Sequence, residues 1–130
     1  DRKIITIPRS KHGQVRYITM HSLVVEHLLA LADGATSEWV FPSQTGKTPL
    51  GAQNFVNRVY NPSVARAEID DFHFHDLRHT FASRLVMSGV GLYTVKELMG
   101  HRTIEMTMRY SHLSSGHLQE AVERLALPRT

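Results

Sequence analysis

The densest run of groups capable of chemistry is His75-Asp76-Leu77-Arg78-His79. On a helix, positions three and four apart share a face, so His75, Arg78 and His79 project together while Leu77 and Phe81 turn toward a core. A guanidinium beside an imidazole suits a phosphate, because one is a fixed cation for the oxygens and the other a titratable group for a proton. Alone, an HxxR run is more often the solvated polar face of an ordinary helix. A second cluster is Gly100-His101, followed by Tyr110. Gly100 should end one helix and leave His101 in the turn, with Tyr110 at or near the end of the next short helix, where it could be mobile. A tyrosine is a weak nucleophile at its free pKa of about 10 and needs cations or a base nearby. Arg78 and His75 supply these if the fold joins the two clusters. A helix-ending tyrosine that merely packs against its neighbours is the commoner case. Lys11 is the third element. At a hairpin tip it is ordinarily a solvated charge, but a lysine held among cations can deliver a proton to a bound phosphodiester.

A metal reading of His73, His75 and His79 is weak. His73 and His75 fall on different faces if both are helical and the acidic partner of an HExxH-type site is missing, although Asp76 could serve as an oxygen ligand. The expectation is no metal and no cofactor.

These groups need elements to hold them. Ile4-Ile5-Thr6-Ile7 and Val15 to Met20 are β-rich and flank the turn residues Ser10 to Gln14, which predicts a hairpin with Gly13 at positive φ. Because a two-stranded hairpin is marginal alone, a preceding strand and more sequence are expected before Asp1. Ser22 is placed as the cap of a helix to about Ala32, ended by Asp33-Gly34. Trp39 to Pro42 is extended and Ser43 to Pro49 a polar loop. A second helix spans about Ala52 to Ala67, with Phe55, Val56, Val59 and Val64 inward and Pro62 dividing or kinking it. Asp70 or Asp71 is placed as the cap of a third, from about Phe74 to Met87, with Leu77, Phe81 and Leu85 as its buried stripe. Short helices follow from about Tyr93 to Met99 and, capped by Thr103, from Ile104 to about Tyr110. His117 to Leu125 is amphipathic through Leu118, Ala121, Val122 and Leu125. The fold class is mainly α with a small antiparallel sheet at the N-terminal side.

Composition narrows the function. The chain has 130 residues, enough for one domain or part of one, and its 42% apolar content supports a core. It has no cysteine, which removes thiol nucleophiles, thiolate metal sites and disulfides and fits a reducing compartment. No apolar run approaches the roughly 20 residues of a membrane helix, and no signal-peptide pattern opens the chain. The net charge is +3 and arginine outnumbers lysine, a balance that leans toward a polyanionic partner.

Taken together, SKHGQVRYITM, HDLRHTFASRL and LMGHRTIEMTMRYSHL resemble the tyrosine recombinase (phage integrase) family, and VFPSQTGKTPL resembles that family's connecting segment. The likeness covers essentially the whole chain. It implies the C-terminal catalytic domain, residues 1–130, of a site-specific recombinase that cuts and rejoins double-stranded DNA through a 3′-phosphotyrosyl link. It implies Tyr110 as nucleophile, Arg78 on the non-bridging oxygens, His75 accepting or positioning the Tyr110 proton, His101 bonded to a phosphoryl oxygen, and Lys11 protonating the leaving 5′-oxygen. It further implies assembly into a tetramer on DNA, with the terminal stripe docked in trans or folded back in cis, and a bacterial or phage-encoded protein of the cytoplasm. The family's first arginine and its N-terminal DNA-clamp domain are not among these residues, so the chain by itself is expected to fold but not to cleave. Gly91 stands where the family often has an Asp cap, and Glu68 where it often has Gly. Two other functions remain open: a non-catalytic DNA-binding module, and a topoisomerase-like or telomere-resolving relative with the same chemistry.

Overall fold

Strands β1 (Ile4–Ile7) and β2 (Arg16–Thr19) pair antiparallel, with Ile5 opposite Ile18 and Thr6 opposite Tyr17. The β-branched residues that favour a pleated surface thus face one another, as expected. In this computed structural model the described residues are 3–8, 13, 15–114 and 121–125. Gly13 takes a φ of 74°, as the turn reading requires. Lys11 lies outside the described residues, and so does Leu118 of the terminal stripe.

The chain divides into two units, residues 1–72 and 73–130. In the first, helix α1 runs Ser22–Ala32. Its cap is His21 rather than Ser22: His21 Nδ1 accepts the Leu23 N–H at 3.2 Å, and Ser22 is already helical. The second helix is one helical path in three parts: α2 (Ala52–Phe55), a π-helical turn (Val56–Tyr60) and α3 (Asn61–Arg66). Pro62 explains the division. Its ring would clash with a carbonyl one turn back, and the chain avoids this by widening, so that the Asn61 N–H reaches the Val56 carbonyl. Phe55, Val56 and Val64 are half-buried, whereas Val59, expected inward, is exposed. The path ends where the Ile69 N–H returns to the Val64 carbonyl and Glu68 sits at φ 54°. That is the left-handed site that glycine normally fills in such a closure.

The second unit holds the core. Helix α4 (Asp76–Met87) packs on α5 (Leu92–Met99), α5 on α6 (Glu105–Met108), and α4 also on the 3₁₀ turn Ser111–Leu113. Ala82, Val86, Val95, Met99 and Tyr110 are buried together, with Leu85, Val90, Leu92 and Leu113 against them. The expected α4 stripe is therefore corrected. Leu77 and Phe81 are 44% and 48% exposed, and the face that meets α5 is the neighbouring one, Ala82 and Val86. A small Ala at the crossing lets the helices approach, and Leu85 borders both faces. The start of α4 also differs from expectation. Neither Asp70 nor Asp71 caps it; Asp76 in its first turn instead accepts the His73 N–H at 2.7 Å. Helices α5 and α6 begin a residue from their expected starts: Leu92 follows the cap Gly91, and Glu105 follows Ile104 in place of Thr103. The observed class, mainly helical with a two-stranded antiparallel sheet among the described residues, agrees with the sequence reading. Among the described residues no helix is long and apolar enough to cross a membrane.

Candidate active site

The second unit by itself brings the two chemical clusters together. His75, Arg78, His79, His101, Glu105, Met106, Arg109 and Tyr110 line one open cleft of about 480 Å³, which is within the usual range for a binding site. Helix α4 contributes His75, Arg78 and His79 at the helical spacing that puts them on one face. The guanidinium of Arg78, half-buried, donates to the Met99 carbonyl at the end of α5. That bond aims a long, otherwise free-swinging side chain and leaves the rest of its fork of donors for an anion.

Gly100 does what the sequence required of it. It closes α5 at φ 64°, where a side chain would be strained, and the chain turns so that the His101 N–H reaches the Lys96 carbonyl. His101 is thereby driven inward. It is buried, and its Nδ1 hydrogen-bonds Thr107 Oγ1 at 2.8 Å, Thr107 being fully buried in the first turn beyond. The pairing fixes the plane of the imidazole.

Tyr110 differs from expectation in its setting. It follows α6 directly, but it is a member of the core and only 6% exposed. Its hydroxyl lies 2.6 Å from His79 Nδ1. The rings of His79 and Tyr110 are 6.1 Å apart and tilted, and His75 meets His79 edge-on at 5.4 Å. The Tyr110 hydroxyl is therefore bonded to His79, while His75, exposed, stands one helical turn back. Arg109 places its guanidinium 6.0 Å from the centre of the Tyr110 ring, at the outer limit of cation–π attraction. Two of these pairings, His79 with Tyr110 and Thr107 with His101, were not expected from residue type and spacing. The available signal for His79 was its place on the His75–Arg78 face.

The Asp76 carboxyl is held below the ordinary carboxylate value first by the His73 backbone N–H, then by the His73 side chain and the nearby charge of His79. Among the described residues no three of His, Cys, Asp and Glu converge as a set of metal ligands.

Residues 1–117 match the model of the phage integrase family. The chain belongs to that family. The integrase of Salmonella phage P22 is 39% identical over 101 residues, 71% of this chain and 26% of its own length. The solved catalytic domain of bacteriophage HP1 integrase matches all of this chain and 70% of its own with a TM-score of 0.66 and 30% identity. The XerH site-specific recombinase, solved bound to a palindromic difH substrate, shares the fold with a TM-score of 0.70 at 24% identity over 92% of this chain and 35% of its own. Against the first curated integrase-family relatives it matches, the chain spans about a fifth to about a third of their length. The HP1 match is to a catalytic domain, and the cleft lies in the part of this chain that it covers.

Proposed function

We propose that this integrase-family chain carries the nucleophile side of a site-specific DNA recombinase. Tyr110 attacks a DNA phosphorus to give a 3′-phosphotyrosyl link and a free 5′-hydroxyl. Arg78 holds the non-bridging oxygens, His101 hydrogen-bonds one of them, His75 accepts or positions the Tyr110 proton, and Lys11 protonates the leaving 5′-oxygen. The bond energy is kept in the phosphotyrosine, so rejoining needs no nucleotide and the reaction no metal or cofactor. The work of the site is positioning and stabilising negative charge on the phosphoryl oxygens.

One observation carries this reading: a tyrosine hydroxyl bonded to an imidazole in the same cleft as Arg78, His75 and His101. A bare DNA-binding surface has no need of that convergence. The partner is double-stranded DNA, in keeping with the DNA-bound XerH relative. The reaction is expected to run in a tetramer, and to draw a further arginine and a DNA clamp from sequence beyond these 130 residues, in keeping with the greater length of the relatives. The test is a nicked suicide duplex incubated with the full-length protein. A covalent adduct should form and should vanish in Tyr110→Phe, while DNA binding is nearly unchanged, because the lost hydroxyl neutralises no phosphate. An adduct that persists in Tyr110→Phe removes the assignment. Relaxation of supercoiled DNA by a monomer, without pairing of two sites, favours the topoisomerase-like relative.

A further inference from the structure

We infer that Arg109 holds a phosphodiester of the DNA backbone at the mouth of the cleft, in addition to the contact proposed for Arg78; this rests on the proposed reading of the cleft as a DNA site. The first observation is where the side chain stands. Arg109 lines the cleft together with Arg78 and His101, and its guanidinium lies 6.0 Å from the centre of the Tyr110 ring. The ring is buried, whereas Arg109 is exposed. A permanent cation is thus held beside the proposed nucleophile, on the open side from which a duplex arrives.

The second observation is that the protein leaves this cation unspent. Arg78 gives a donor to the Met99 carbonyl. Among the described residues no hydrogen bond or ion pair is made to Arg109, and the carboxylates of Asp76 and Glu97 go to His73 and Lys96. The natural partner is Glu105, four positions earlier and also lining the cleft. Glu105 instead turns to the start of α6, where its own backbone N–H and the Thr103 side chain hold its pKa below the ordinary carboxylate value. The five donors of Arg109 are left for a ligand. Stacking on Tyr110 does not account for the placement, because at 6.0 Å and open to water a cation–π attraction is weak. Third, the base of the side chain is fixed. Thr107 and Tyr110, on either side, are buried, and the N–H groups of Arg109 and Tyr110 both turn to the Thr107 carbonyl. Binding therefore has to order the side chain and not the backbone beneath it. A planar guanidinium can take two oxygens of one phosphate side by side. Two phosphodiesters present that chemistry: the one attacked by Tyr110 and its neighbour along the strand.

The test is Arg109→Ala in the full-length protein, read by binding to its DNA site over a range of salt concentrations. Affinity should fall by about 10- to 100-fold, the usual worth of a hydrogen-bonded charge. The slope of log affinity against log salt should shrink by about 0.9, one phosphate's share. Arg109→Lys should keep the slope, because it keeps the charge, while losing part of the affinity with the fork. Duplexes with a neutral methylphosphonate at one position then locate the contact. On the duplex that lacks the charge Arg109 meets, wild type and Arg109→Ala should bind alike. Convergence at the scissile position assigns the attacked phosphate, and convergence at the adjacent position assigns its neighbour. An unchanged salt slope, or the same loss on every methylphosphonate duplex as on the native one, overturns the inference and leaves Arg109 a cation stacked on Tyr110. Because these are binding measurements, they decide on Arg109 separately from the chemistry: a wild-type protein that binds DNA but forms no adduct removes Tyr110 as nucleophile instead. Should Arg109→Ala lower the Tm, Arg109→Gln, which keeps most of the length without the charge, should show the same loss of slope, and a wild-type slope there rejects the contact.

Discussion

Thr107→Val probes whether His101 works because it is aimed. Thr107 is fully buried and His101 nearly so, and the bond between them is 2.8 Å. Valine has nearly the same shape, so no cavity opens; what is lost is one buried hydrogen bond, leaving an imidazole nitrogen without that partner. Such a loss costs roughly 1–3 kcal/mol, or a fall in Tm of roughly 3 to 15 °C for a chain of this size. The kinetic effect has a ceiling. Removing a preorganised donor outright costs about 10²–10³ in rate, and here the ring is present but unanchored, so adduct formation should drop by about ten- to a hundredfold. Thr107→Ser separates the two effects. It keeps the oxygen but gives up a buried methyl worth about 1 kcal/mol, so it should lose stability and retain near wild-type rate. The assays are thermal unfolding by circular dichroism and single-turnover adduct formation. If serine is as slow as valine at equal stability, or valine is destabilised with no loss of rate, Thr107 is a packing residue and the aiming argument fails.

Gly100→Ala places a side chain at φ 64°; the strain should cost about 1–2 kcal/mol, and by shifting the turn that presents His101 it should slow adduct formation more than it weakens DNA binding. Glu68→Gly should act in the opposite direction, raising stability by about 1 kcal/mol by relieving the left-handed φ of 54°, with no change in rate; a lower Tm would contradict the strain. Asp76 gives a pH dependence of definite sign. Its folded pKa is depressed, so its contribution is present above the unfolded value of about 3.8 and is lost as pH falls through the lower folded value. Thermal melts between pH 6 and pH 2 should steepen at the acid end, and Asp76→Asn should remove that part of the slope.

Local features were legible in the sequence because local chemistry decides them. The two strands, the positive φ of Gly13 and Gly100, and the shared face of His75, Arg78 and His79 depend on residues a few positions apart. Pro62 announced an interruption, although not that a π-helical turn would carry the helix through it. Which face of α4 is buried could not be read the same way. Leu77-Phe81-Leu85 and Ala82-Val86 are both stripes at helical spacing, and apolar bulk favoured the first. The approach of α5 selected the second, because a small residue admits a closer helix. His79 and Tyr110 are 31 positions apart, so their pairing belongs to tertiary structure. So does the burial of Tyr110, which its place at a helix end suggested would be free. The hairpin-tip role of Lys11 rests on the family resemblance, and the position lies outside the described residues.

The placement of Tyr110 has a bearing on what becomes of cut DNA. A nucleophile on a surface loop would carry the severed strand wherever the loop went. Here the ring is wedged among Ala82, Val86, Val95 and Met99, so in the proposed intermediate the broken end is moored to the least yielding part of the unit. It cannot swing clear without prising helices apart. On the proposed reading, a strand held that still would remain in line for whichever 5′-hydroxyl is presented to it, and a break would stay within the protein's own grip until it is sealed.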